Sequence, residues 1–178
     1  HDADLAAACA LFDITPLQPS LGAEISGIDL REPLDPAARD ALRAALLAYK
    51  VLFFRDQDLS FEQHIAFTAN FGALEVHPVF SMAEHPEILP LRAAYYADNY
   101  RPSADAEWHS DTTFRAEPSA ASVLRARIVP PLGGDTVFVN TVKAYERLPD
   151  AVKERIDGLT AVHDASIFQQ FLPEDKRD

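Results

Sequence analysis

A second cysteine is missing: Cys9 stands alone, so no disulfide can form within the chain, which suits a reducing compartment. Long apolar runs are missing too. The stretch 5–12 is apolar but short, and it follows Asp2 and Asp4, whereas a secretory leader starts with basic residues. Nothing approaches the roughly 20 apolar residues of a membrane span. Together these absences lead us to expect a cytoplasmic protein. Basic residues are scarce, with 16 Lys and Arg against 28 Asp and Glu and a net charge of −12. That field repels nucleic-acid phosphate and anionic membranes, so neither is an expected partner. Small molecules remain, an anionic one only where a local cation overrides the global charge, and a homo-oligomer stays open. Internal repeats and low-complexity linkers are absent as well.

What is present is an ordinary globular balance, 48% hydrophobic and 25% charged over 178 residues, enough for one domain around one core. The chain starts at His1 and stops in a charged run ending at Asp178, so both ends are expected to be cuts or limits of order rather than natural termini. Segments 12–16 and 23–28 read as strands. Asp35-Pro36 is a helix start, with Asp as N-cap and Pro at the first helical position, and Leu42, Leu46 and Tyr49 then share one face. The apolar run 51–54 reads as a buried strand. Ser60-Phe61-Glu62-Gln63 is a capping box opening a second helix that Gly72 closes. Further strands are predicted at 88–92, 122–128 and 135–140, the last two flanking a Pro-Pro-Leu-Gly-Gly turn, with a loop at 95–107 and helices at 142–148 and 149–156. In segment 122–128, Arg125 and Arg127 alternate with Leu124, Ala126 and Ile128, which predicts a solvated outer face for the two arginines. Helices first and paired strands later make an α+β chain whose strands belong to a sandwich or barrel.

The strongest local feature is Trp108-His109-Ser110-Asp111. On an extended segment His109 and Asp111 share a face, with Cβ atoms about 7 Å apart from two rises of roughly 3.3 Å. An imidazole and a carboxylate leaning inward across that gap can meet on one metal. A second imidazole would complete the two-His, one-carboxylate facial triad, which leaves positions open for co-substrate and oxygen. The pair alone is weak, because composition predicts about 0.9 His-x-acid pairs by chance. Two occur, and the other, His85-Pro86-Glu87, sits in a surface turn.

The surroundings of His109 carry more weight. In order along the chain come Gly22-Ala23-Glu24-Ile25-Ser26-Gly27, Phe53-Phe54-Arg55-Asp56-Gln57, Phe71-Gly72, His77-Pro78-Val79, Trp108-His109-Ser110-Asp111-Thr112-Thr113-Phe114 and Gly133-Gly134-Asp135-Thr136. This ordered set resembles the taurine dioxygenase (TauD/TfdA) family of iron(II)- and 2-oxoglutarate-dependent dioxygenases, over about residues 14–163. The resemblance implies a double-stranded β-helix (a cupin-like jelly roll) with flanking helices. It implies a single dioxygenase domain across 1–178 that lacks its C-terminal part.

It also implies roles. His109 and Asp111 become iron ligands, and the Thr136 hydroxyl binds the distal carboxylate of 2-oxoglutarate; on pattern alone Thr136 would be an ordinary strand residue. His77, in a loop, falls in the substrate pocket near an anionic group. Phe80 and Asp105 stand where taurine enzymes carry a Tyr and an Asn at the amine end, and Ala165 stands where they carry a Phe. These departures argue against taurine itself and toward another sulfonate, a sulfate ester or an aryloxyalkanoate. Trp108 is expected as a packing wall beside the metal. The family's third ligand, a His, and its 2-oxoglutarate-binding Arg lie beyond the end of this chain; His163 matches a different family position.

The expected activity is iron(II)- and 2-oxoglutarate-dependent hydroxylation of a small, anionic organic substrate, consuming O₂ and releasing succinate and CO₂. The rival from another class is a non-catalytic jelly-roll binding or assembly module that kept the fold but not the metal. A zinc hydrolase is a third reading, since zinc accepts the same ligands.

Overall fold

The computed structural model describes residues 2–77, 81–91, 108–133 and 135–164. The chain divides into two units, His1–Phe71 with Leu124–Leu159, and Gly72–Val123 with Thr160–Asp178.

The first unit is built on a three-stranded sheet. Helix α1 (Asp2–Leu11) leads into strand β1 (Asp13–Pro16), which turns back antiparallel onto β2 (Ala23–Ser26) with Ile14 opposite Ile25. The turn depends on Gly22, whose φ of +85° is a conformation that L side chains rarely adopt. Its N–H donates to the Tyr49 carbonyl and its own carbonyl accepts from Leu17, so this residue ties the hairpin to the end of the next helix. That helix, α2 (Pro36–Tyr49), starts as the sequence predicts: the Asp35 side chain accepts from the Ala38 N–H at 2.7 Å, and Pro36 fills the first turn. It returns the chain to β3 (Leu52–Phe53), which lies parallel to β2, as a strand–helix–strand crossover requires.

The core sits between this sheet and the paired helices α1 and α2. Ala8, Phe12, Ala23, Ile25, Leu30, Ala41, Leu42 and Ala45 are buried, with Ile25 and Leu42 the largest side chains completely removed from water. Helix α3 (Phe61–Thr68) has the predicted capping box: Ser60 Oγ accepts from the Gln63 N–H, and Gln63 Oε1 accepts from the Ser60 N–H. It tightens into a 3₁₀ turn (Ala69–Phe71) before Gly72, and Phe67 buries against the rings of Phe54 and Phe71. Between β3 and α3, Gln57 stitches two loops. Its amide donates to the Ile28 and Arg55 carbonyls and accepts from the Leu30 N–H. Helix α4 (Thr141–Glu146) is capped by Asn140, and α5 (Asp150–Ile156) follows.

The α+β organisation therefore holds, with the early strands and all the predicted helices in place. The strands predicted at 88–92, 122–128 and 135–140 do not join a ladder among the described residues. Alternation is local, whereas a strand needs a hydrogen-bonded neighbour to satisfy its backbone. At 88 the backbone turns instead: Ile88 donates to the His85 carbonyl and accepts from Met82. Arg92 and the predicted loop at 95–107 lie outside the described residues.

Segment 122–128 departs from its expected faces at Arg125, whose side chain is only 16% exposed, while Leu124 is 61% and Ile128 91% exposed. Arg127 is exposed as expected and sits over the Phe61 ring. Arg125 Nη2 reaches Asp58 Oδ1 at 3.0 Å, so most of its side chain is covered while its charge meets a carboxylate that stands fully in water.

A core substitution tests this layout. Leu42→Ala should lower unfolding stability by about 2–5 kcal/mol, and Leu47→Ala on the exposed side of α2 by less than about 0.5 kcal/mol. Urea denaturation followed by circular dichroism reads both; equal losses would contradict the assignment of the buried face.

Candidate functional site

The sequence motif 108–114 lies in the second unit and forms a turn rather than a strand. Residues 111–114 turn, closed by the Arg115 N–H donating to the Thr112 carbonyl at 3.0 Å. Thr112 has φ of +55°, rare for a β-branched residue and costing of order 1–3 kcal/mol. Its hydroxyl accepts from the Ser119 N–H at 2.9 Å, which helps hold the strained conformation. The predicted convergence of His109 and Asp111 survives by another route: the backbone bends, and His109 Nε2 comes within 3.5 Å of Asp111 Oδ1.

The Asp111 carboxylate is divided between two neighbours. Oδ2 accepts from the Ser122 hydroxyl at 2.7 Å, while Oδ1 faces the imidazole. Both side chains of the pair are solvent-accessible, at 70% and 58%. This donor set suits a small divalent cation. Two atoms each about 2.1 Å from one ion and at right angles lie about 3.0 Å apart, so 3.5 Å opens that angle only modestly. Among the described residues no cluster of three or more His, Cys, Asp or Glu side chains surrounds a common cation position. The pair thus offers two donor atoms.

His77 belongs to the same unit, in the loop after Gly72, and is half-buried. Burial pushes its imidazole below the usual histidine range, with Glu75 opposing and Arg115 reinforcing that shift. The imidazole is therefore neutral at pH 7. Glu75, two residues earlier, reaches the motif loop: Oε1 accepts from Arg115 Nε at 2.5 Å and Oε2 from the Ser119 hydroxyl at 2.7 Å. The Ser119 hydrogen bond, and then Arg115, hold the Glu75 carboxyl below the usual carboxylate range against the opposing effect of partial burial. A further anchor joins the turn to the chain beyond α5, where His163 Nδ1 lies 2.8 Å from Thr113 Oγ1.

Sequence reasoning missed Glu75, Ser119 and Ser122. Glu75 meets Arg115 and Ser119 across 40 and 44 residues and Ser122 meets Asp111 across 11, and no periodicity reports such pairs. Thr136 belongs to the first unit, exposed in segment 135–140, which has no regular secondary structure. Trp108, expected as a packing wall, is 68% exposed. Phe80, Asp105 and Ala165 lie outside the described residues.

A family model described as "Taurine catabolism dioxygenase TauD, TfdA family" matches residues 13–177. An alpha-ketoglutarate-dependent sulfate ester dioxygenase of Pseudomonas putida is 37% identical over 153 residues, covering 85% of this chain and 49% of its own length. A (S)-phenoxypropionate/alpha-ketoglutarate-dioxygenase of Sphingobium herbicidovorans is 36% identical over 166 residues, covering 90% of this chain and 56% of its own. In three dimensions, a taurine dioxygenase from Burkholderia xenovorans superposes with a TM-score of 0.69 at 40% identity, over 83% of this chain and 51% of that one. The chain spans about half the length of the curated relatives it matches.

The Glu75 clasp makes a pH-dependent prediction. Its folded pKa is depressed, so its stabilisation is complete above the usual glutamate range and is lost as pH falls through that range and the lower folded value. The Arg115 and Glu75 side chains are 40% and 27% exposed, so the effect is modest. Glu75→Gln should cost up to about 1 kcal/mol near pH 7 and progressively less as pH falls below the usual glutamate range. Denaturant midpoints of both proteins at pH 7 and through that acid range check this; an unchanged gap in acid would contradict it.

Proposed function

Because the chain belongs to the taurine catabolism dioxygenase TauD, TfdA family, we propose that the whole protein is an iron(II)- and 2-oxoglutarate-dependent dioxygenase. The observation that carries this reading is the convergence of His109 Nε2 and Asp111 Oδ1 on one side of a strained turn. These two side chains hold the ferrous ion, together with a second imidazole that the described residues do not supply. With 2-oxoglutarate and dioxygen, the ion supplies the oxidising power to hydroxylate a C–H bond, releasing succinate and CO₂. Around it the whole protein folds as a jelly roll with flanking helices.

The protein's own groups orient and select. Thr136 offers its hydroxyl to the distal carboxylate of 2-oxoglutarate. His77 faces the substrate, and as a neutral imidazole it presents one N–H donor to an anionic group. Phe80 and Asp105 line the opposite end of the substrate. The substrate class is a small organic anion: a sulfonate, an alkyl sulfate ester or an aryloxyalkanoate. Support comes from the relatives, whose names cover sulfate esters, phenoxypropionate and taurine.

Succinate release by the full-length protein across a panel of sulfonates, alkyl sulfates and aryloxyalkanoates tests the reading. Turnover should appear in one class, require Fe(II), 2-oxoglutarate and O₂, and fall at least about 10³-fold in His109→Ala or Asp111→Ala, as expected when a ligand to the reacting centre is removed. Turnover without oxygen or oxoacid would favour a hydrolase. No turnover, with partner binding intact in His109→Ala, would favour a binding module.

A further inference from the structure

An aspartate whose carboxylate plane is already fixed loses less freedom when it takes up an ion. The terminal torsion of an aspartate is broad, so an unheld carboxylate samples many orientations. One contact narrows that range for Asp111. Ser122 Oγ lies 2.7 Å from Oδ2, a length typical of a hydroxyl donating to a carboxylate, and Oδ1 is left on the His109 side at 3.5 Å from Nε2. A serine hydroxyl has one proton to donate, and here it is directed at Asp111.

The position of Ser122 is itself set by protein contacts. The loop between the two residues is closed on Thr112, whose carbonyl accepts from the Arg115 N–H and whose hydroxyl accepts from the Ser119 N–H. Arg115 and Ser119 are both fastened to Glu75. The scaffold that presents the hydroxyl thus stands on hydrogen bonds independent of any ion.

From this geometry we propose that Ser122 is a positioning residue of the metal site, holding one carboxylate oxygen of Asp111 so that the other is preset for the cation. The inference rests on the reading of His109 and Asp111 as ligands. It adds to that reading a hydroxyl acting through a ligand, a type of partner whose loss weakens metal binding about 10–100-fold.

The test is anaerobic titration of the full-length protein with Co(II) alone, followed by its visible d–d absorption, in wild type, Ser122→Thr, Ser122→Val and His109→Ala. Thr and Val have the same shape and differ in the hydroxyl. Ser122 is exposed, so neither variant opens a cavity, and thermal midpoints verify that both fold. The expected result is a Kd for Ser122→Thr within about threefold of wild type, a Kd about 10–100-fold weaker for Ser122→Val, and no binding by His109→Ala. Equal Kd values for Thr and Val, with His109→Ala still failing to bind, would overturn the role of Ser122 and leave the metal site standing. Wild-type binding by His109→Ala would remove the metal site itself, and this inference with it.

Discussion

The candidate site depends on one backbone constraint, the left-handed conformation of Thr112 immediately after Asp111. A β-branched residue resists that conformation, so the turn persists only where neighbouring contacts hold it. Ser119 supplies one through its N–H, the Arg115 N–H a second, and the clasp of Glu75 on both residues a third. The bend brings an imidazole and a carboxylate within 3.5 Å and places Ser122 behind the carboxylate. A straight strand would also have put His109 and Asp111 on one face, but not with Oδ2 already engaged.

Local signals were read correctly from the sequence because their physics is local. Asp35-Pro36 and Ser60–Gln63 cap helices through bonds spanning three residues, and both caps form as their spacing predicts. His109 and Asp111, two positions apart, also come together, but through a turn rather than on the extended segment expected. What was not legible is long-range. The alternation in 122–128 placed Arg127 on the solvated side but not Arg125, whose position was decided by Asp58, 67 residues earlier. Glu75 gave no signal at all; it is one of 28 acids, and only the folded loop shows Arg115 and Ser119 meeting it.

Charge explains how an acidic chain can present a site for an anion. Several guanidinium groups are engaged with carboxylates, among them Arg115 with Glu75, Arg55 with Glu24 and Arg125 with Asp58. On the proposed function, the metal is one cation that draws 2-oxoglutarate, and the Asp111 carboxylate offsets part of its charge in holding it. His77, kept neutral by burial, then contributes direction through an N–H donor rather than charge.

The most direct measurement is anomalous diffraction from crystals of the full-length protein soaked in Mn(II) without oxygen. A single peak bonded to both His109 Nε2 and Asp111 Oδ1, with Ser122 still on Oδ2, is the predicted result. A peak elsewhere, or side chains that diverge from one another with no ion between them, would contradict the dioxygenase assignment at its base.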